Sequence, residues 1–168
     1  MKKLIILCGI PGAGKSTFIT NHKQYFGATV KVVSRDAIRF SLVKEDEDYF
    51  SREKEVWTTF ISEIKAGLDS VETTVADATH LNEASRLKLI RALNTSLKGV
   101  DIIPIVINAG YEIAVTQNER RSGTRSYVPT TVIRNMANSF TTPTFDEYNY
   151  KTIYIYEANK KIIIRERA

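Results

Sequence analysis

Gly9-Ile10-Pro11-Gly12-Ala13-Gly14-Lys15-Ser16-Thr17, set directly after the apolar run Leu4-Ile5-Ile6-Leu7-Cys8, decides the fold. The nine residues follow the pattern G-x-x-x-x-G-K-[ST], which has physical meaning when an apolar strand leads in and a helix leads out. Backbone N–H groups can turn inward around an anionic oxygen only where side chains and the usual bar on positive φ are removed, hence the glycines. On this reading Gly12, Ala13, Gly14 and Thr17 build a phosphate cradle. Lys15 reaches the β- and γ-phosphates of ATP, and the Ser16 hydroxyl faces Mg²⁺. The helix starting near Gly14 points its positive end at the same phosphates. Strand, loop and helix together imply a nucleotide, a metal and an α/β scaffold.

The 168 residues read as one domain, with no linker or low-complexity stretch dividing them. The single cysteine, Cys8, excludes an intramolecular disulfide and reads as a small buried hydrophobe, which fits a cytoplasmic setting. Met1-Lys2-Lys3 and the following apolar run imitate a secretion signal, but the run ends at Gly9, short of the ~7 to 15 residues of a signal core. No segment approaches the ~20 apolar residues of a membrane span. Residues 85–168 carry 13 Lys and Arg against 7 Asp and Glu, whereas the first half is nearly neutral. Such a bias suits a polyanion, either ATP or a nucleic acid, and equally an ordinary solvated surface.

Buried-strand runs alternate with helical patterns, which predicts a parallel sheet flanked by helices. Strands are expected at residues 3–8, 30–33, 71–76 and 100–107, and a terminal hairpin from 152–156 and 162–165. Helices are expected at 15–26, with Gly27 as the stop, at 49–68, at 83–97 with Asn82 as N-cap, at 111–121 and at 130–140. Trp57, Phe60, Ile61, Ile64 and Leu68 form one apolar stripe, read as core.

Ligands of open α/β sheets lie outside the carboxyl ends of the strands, and three polar groups fall there. Asp36 follows the second strand and is the candidate general base, since a carboxylate can orient a hydroxyl nucleophile and accept its proton. Arg39 shares a helix face with it, placed to hold an acceptor-side phosphate. The alternative is that Asp36 caps the helix and pairs with Arg39. Asp77 ends the third strand, the place for a carboxylate that holds Mg²⁺ or its waters, or else for a plain turn residue. Thr79 beside it offers hydrogen bonds to an acceptor. His80 is given no catalytic role. Arg120, Arg121 and Arg125 bracket Gly123-Thr124, either as a lid over ATP, spanning about 120–128, or as a solvated basic loop. The acidic run Glu45-Asp46-Glu47-Asp48 reads as a solvated connection.

With these residues in place the chain resembles the kinase domain of phage polynucleotide 5′-hydroxyl kinases and, more broadly, the small P-loop kinases. The likeness covers roughly residues 1–142. It rests on G-I-P-G-A-G-K-S-T, S-R-D-A-I-R, V-A-D-A-T-H-L-N with Arg86 downstream, and N-E-R-R-S-G-T-R-S-Y-V-P followed by V-I-R-N-M. The resemblance implies ATP- and Mg²⁺-dependent phosphoryl transfer to the 5′ end of DNA or RNA, in the host cytoplasm for a phage-encoded protein. It makes Asp36 the general base and Arg39 the ligand of the acceptor's 3′-phosphate. Lys15 and Ser16 take the ATP and Mg²⁺ roles. Arg121 is the first choice for the β-phosphate contact and Arg125 the second. Relatives keep the same skeleton for small-molecule or nucleoside acceptors, so that alternative stays open, as does a nucleotide-controlled switch.

Overall fold

The computed structural model describes residues 1–168 and gathers six strands into one sheet. Strands β1 (Lys2–Cys8), β2 (Val30–Ser34), β3 (Thr73–Asp77), β4 (Val100–Asn108) and β5 (Thr152–Glu157) are parallel. β6 (Ile162–Glu166) is antiparallel to β5, and the order is β2-β3-β1-β4-β5-β6. Six α-helices connect them: α1 (Lys15–His22), α2 (Arg35–Leu42), α3 (Glu53–Ser70), α4 (Glu83–Leu93), α5 (Tyr111–Glu119) and α6 (Thr130–Ser139).

β1 is apolar without alternation because both of its faces are covered. Leu4, Ile6 and Cys8 pack on α3 and α4 through Phe60, Ile64, Leu89 and Leu93. Ile5 and Leu7 point the other way, to Phe18 and Ile19 of α1, Ala114 of α5 and Ile133 of α6. Each such aliphatic side chain, fully buried, stabilises the fold by about 1.5–3 kcal/mol. The stripe on α3 is core as expected: Phe60, Ile61, Ile64 and Leu68 are buried and Trp57 is half-buried. Burial pushes the Cys8 thiol up to about 12, so it is an inert packing residue.

Several element ends differ from the sequence expectation for local reasons. α1 stops at His22, and the chain tightens into a 3₁₀ turn at Lys23–Tyr25 before Gly27, whose φ is +138°. β3 starts at Thr73 and runs on to Asp77. α4 ends at Leu93, where Asn94 adopts φ +38° and a 3₁₀ turn takes over. α5 ends at Glu119. A further shift is at α3, which begins at Glu53. Ser51 N donates to the Asp48 carbonyl (2.9 Å) and Arg52 forks onto Glu47 (2.9 and 3.1 Å), so residues 48–52 turn and leave Tyr49 and Phe50 outside the helix. The terminal hairpin forms, and its first strand also pairs in parallel with β4, so it extends the central sheet.

Candidate active site

Register places the strand ends side by side. Asp77 pairs with Leu7 of β1 on one side and Ser34 of β2 on the other, so the loops after β1, β2 and β3 open on one crevice. Gly9 N donates to the Thr79 carbonyl (2.9 Å), tying the first loop to the third. A cavity of about 310 Å³ lies between them, and Gly12, Gly14, Lys15, Ser16, Asp36, Arg39, Asp77, Thr79 and Arg121 all line it. Ala13 and Thr17 line a neighbouring cavity of about 180 Å³, which shares Gly14 with the first and is walled by Phe18, Ile107 and Tyr156.

The glycine-rich loop has the geometry its sequence requires. Gly12 and Gly14 have φ of +80° and +96°, and a Cβ on Gly12 would fall onto the Ala114 carbonyl of α5. Lys15 Nζ donates to the Gly9 and Ile10 carbonyls (2.9 and 3.2 Å). Burial holds its ammonium below the usual lysine range, with Asp77 and Asp36 pulling it back up. Burial also raises the Asp77 carboxyl, with Lys15 opposing. Both groups therefore sit where a further charged partner would pay their desolvation, which fits a polyphosphate beside Lys15 and a cation beside Asp77. The Ser16 hydroxyl and the Asp77 carboxyl, which both line the cavity, are hard oxygens of the kind Mg²⁺ takes, an ion that keeps several waters and needs only one or two protein ligands beside phosphate. No group of three or more His, Cys, Asp or Glu is placed to hold a metal.

On the opposite wall, Ser34 and not Asp36 caps α2, its Oγ accepting from Ala37 N (3.2 Å). Asp36 is thus not the cap, but it does pair with Arg39, which donates to its Oδ1 (2.5 Å), and its side chain is 71% exposed. Tyr49 Oη donates to the same oxygen (3.1 Å), so Oδ2 keeps its lone pairs for a ligand. Arg39 is 8% exposed and forks onto Glu53 through Nε (2.5 Å) and Nη2 (3.0 Å). One N–H of Nη2 remains for an anion. The guanidinium stacks on Tyr49 and Phe50, 4.9 and 5.2 Å from their centroids.

Glu53, Tyr49 and Phe50 escaped the sequence reading, and so did Asn118. The buried Asn118 carboxamide donates to the Val128 carbonyl (2.6 Å) and accepts from Val128 N (3.0 Å). These two bonds pinch the neck of the loop that carries Arg121. Arg125 lies apart from the cavity: it donates to the Val43 carbonyl (2.8 Å) and stacks on Phe40 at 5.1 Å, bridging the loop to the end of α2. Arg120 is exposed.

Behind the site, His80 is buried with φ +41°. Its Nδ1–H donates to the Leu7 carbonyl (2.5 Å), and burial pushes its pKa down to about 4, so it is a neutral structural residue. Asn82 and Ser85 form a reciprocal cap on α4. Arg86, fully buried, pairs with Glu147 (2.7 and 2.8 Å) and also donates to the His80 and Thr141 carbonyls (3.1 and 2.9 Å). Residues 141–150 thus brace the loop after β3.

A glycine-rich phosphate loop at the end of the central strand of a parallel sheet, facing a carboxylate and an arginine across one cavity, defines a P-loop NTPase fold of the kinase type. Residues 4–143 match the AAA domain family model AAA_33, and the chain belongs to that family. Among solved structures it is similar to a protein of the Pnkp1/Rnl/Hen1 RNA repair complex (23% identity, TM-score 0.67), over 82% of this chain and 43% of that one. It is also similar to Chaetomium thermophilum Kti12 in complex with ADP-AlF3 (15%, TM-score 0.66, 90% and 87%). A gluconokinase from Sinorhizobium meliloti 1021 matches at 14% identity and TM-score 0.58, over 95% and 84%. At these identities the likeness speaks for the fold alone. The chain spans less than half of the RNA repair protein's length. No helix is long and apolar enough to cross a membrane.

Proposed function

We propose that this chain is a polynucleotide 5′-kinase domain that moves the γ-phosphoryl group of ATP to the 5′-hydroxyl of DNA or RNA. The observation that carries the reading is the single cavity lined at once by Lys15 and Ser16 and by Asp36 and Arg39. Asp36 takes the hydroxyl proton through its free oxygen. Arg39, fixed by Glu53, holds an acceptor phosphate, which a neutral sugar or nucleoside lacks. Lys15 and the loop amides bind the donor phosphates, and Arg121 offsets charge on the transferring group. Mg²⁺, held through Ser16 and Asp77, would neutralise phosphate oxygens when bound. The excess of Lys and Arg in residues 85–168 favours a polyanionic acceptor.

Asp36→Asn tests the assignment. ATP affinity should stay within about threefold, because the carboxylate belongs to the acceptor wall, while transfer falls by about 10²- to 10⁴-fold. An undiminished transfer rate would remove Asp36 from the mechanism.

A further inference from the structure

We propose that Tyr49 and Phe50 form a stacking subsite for the terminal nucleobase of the acceptor strand, an inference that rests on the polynucleotide reading above. Both rings lie on the turn before α3 and line the cavity beside Asp36 and Arg39. They meet edge to face, 4.9 Å between centroids. Tyr49 is tied down, with its hydroxyl on Asp36 Oδ1 and a second aromatic contact to Phe40 at 5.7 Å. Phe50 is 54% exposed, and of the large exposed hydrophobic side chains it is the one that lines this cavity.

An exposed phenyl ring at the mouth of a charged cavity forgoes its own burial, and a flat apolar ligand face restores it. Nucleobases have that face whatever the sequence, so stacking here is independent of which base ends the strand. Arg39 lies against both rings, so an acceptor phosphate on its free N–H would sit beside a base on Phe50. A polyol or sugar acid presents no such ring. The subsite therefore ties the acceptor to a nucleotide by shape as well as by charge.

The test compares a 5′-hydroxyl oligonucleotide with the same strand carrying an abasic 5′-terminal residue, each titrated in a transfer assay with the full chain. Wild type should show a KM about tenfold or more lower for the strand with the base, the scale of one stacked base. In Phe50→Ala that ratio should collapse toward one, and in Phe50→Trp it should persist, with circular dichroism and thermal unfolding confirming that both variants fold. Equal KM values for the two strands in wild type, or an unchanged ratio in Phe50→Ala, overturn the subsite while leaving the kinase reading intact. No transfer to either strand by wild type overturns that reading and the subsite with it.

Discussion

Glu53→Gln isolates the contact that holds Arg39 in place. Glu53 takes two charge-assisted bonds from Arg39 and one from Nη2 of Arg35 (3.1 Å), and glutamine would set an amide NH₂ against the same guanidinium groups. Breaking a fully buried ion pair costs about 3–5 kcal/mol. Here the Glu53 side chain is 33% exposed, and Asp36 and Tyr49 remain on Nη1 of Arg39. Solvent and those partners reduce the loss to about 2 kcal/mol, a fall in Tm of about 4–8 °C for a chain of this size. Acid should separate the two proteins further. Burial raises the Glu53 carboxyl, but Arg39 and Arg35 outweigh it and hold the group below the usual glutamate value. A depressed carboxyl stabilises the fold above its unfolded pKa and loses that contribution as pH falls through the folded one. Wild type should therefore lose more stability than Glu53→Gln as pH drops below about 4.3, the ordinary glutamate value. Thermal unfolding across that range, with an oligonucleotide titration at neutral pH, reads both consequences. Arg39 released from Glu53 should raise acceptor KM about tenfold, the scale of one charge-assisted bond, and leave ATP affinity alone. A Tm within 1 °C of wild type (roughly 0.3 kcal/mol) together with an unchanged KM would refute the positioning role.

Gly12→Ala should abolish nucleotide binding by calorimetry, since the residue sits at φ +80° and its new methyl would meet the Ala114 carbonyl. Asn118→Ala removes both bonds to Val128 and should cost about 2 kcal/mol, with amide exchange at Val128 accelerated and ATP affinity lowered as Arg121 loses its support.

Much of the fold was legible because β1 and its loop are adjacent in sequence and each residue has one physical job. The spacing of Asp36 and Arg39 put them on one face of α2, and the end of an apolar run put Asp77 at a strand terminus. What escaped depends on pairing across distance. Glu53 meets Arg39 from the start of another helix, Asn118 meets Val128 around a loop, and Arg86 meets Glu147 across 61 positions. Local periodicity carries no trace of such contacts. Tyr49 and Phe50 were absorbed into a helical pattern because their hydrophobicity continues the stripe of α3, while the turn that frees them is held by Glu47 and Arg52. The parallel pairing of β5 with β4 is likewise invisible in a segment that reads as a hairpin.

On the function proposed above, the cavity joins a nucleotide donor to a polynucleotide end. γ-Labelled ATP and Mg²⁺ supplied with a 5′-hydroxyl oligonucleotide, a free nucleoside and gluconate in parallel test it most directly. Label should appear on the 5′ end of the oligonucleotide and be lost when Lys15 is replaced by alanine. Label on gluconate or the nucleoside with none on the oligonucleotide, or label released only as inorganic phosphate, would contradict it.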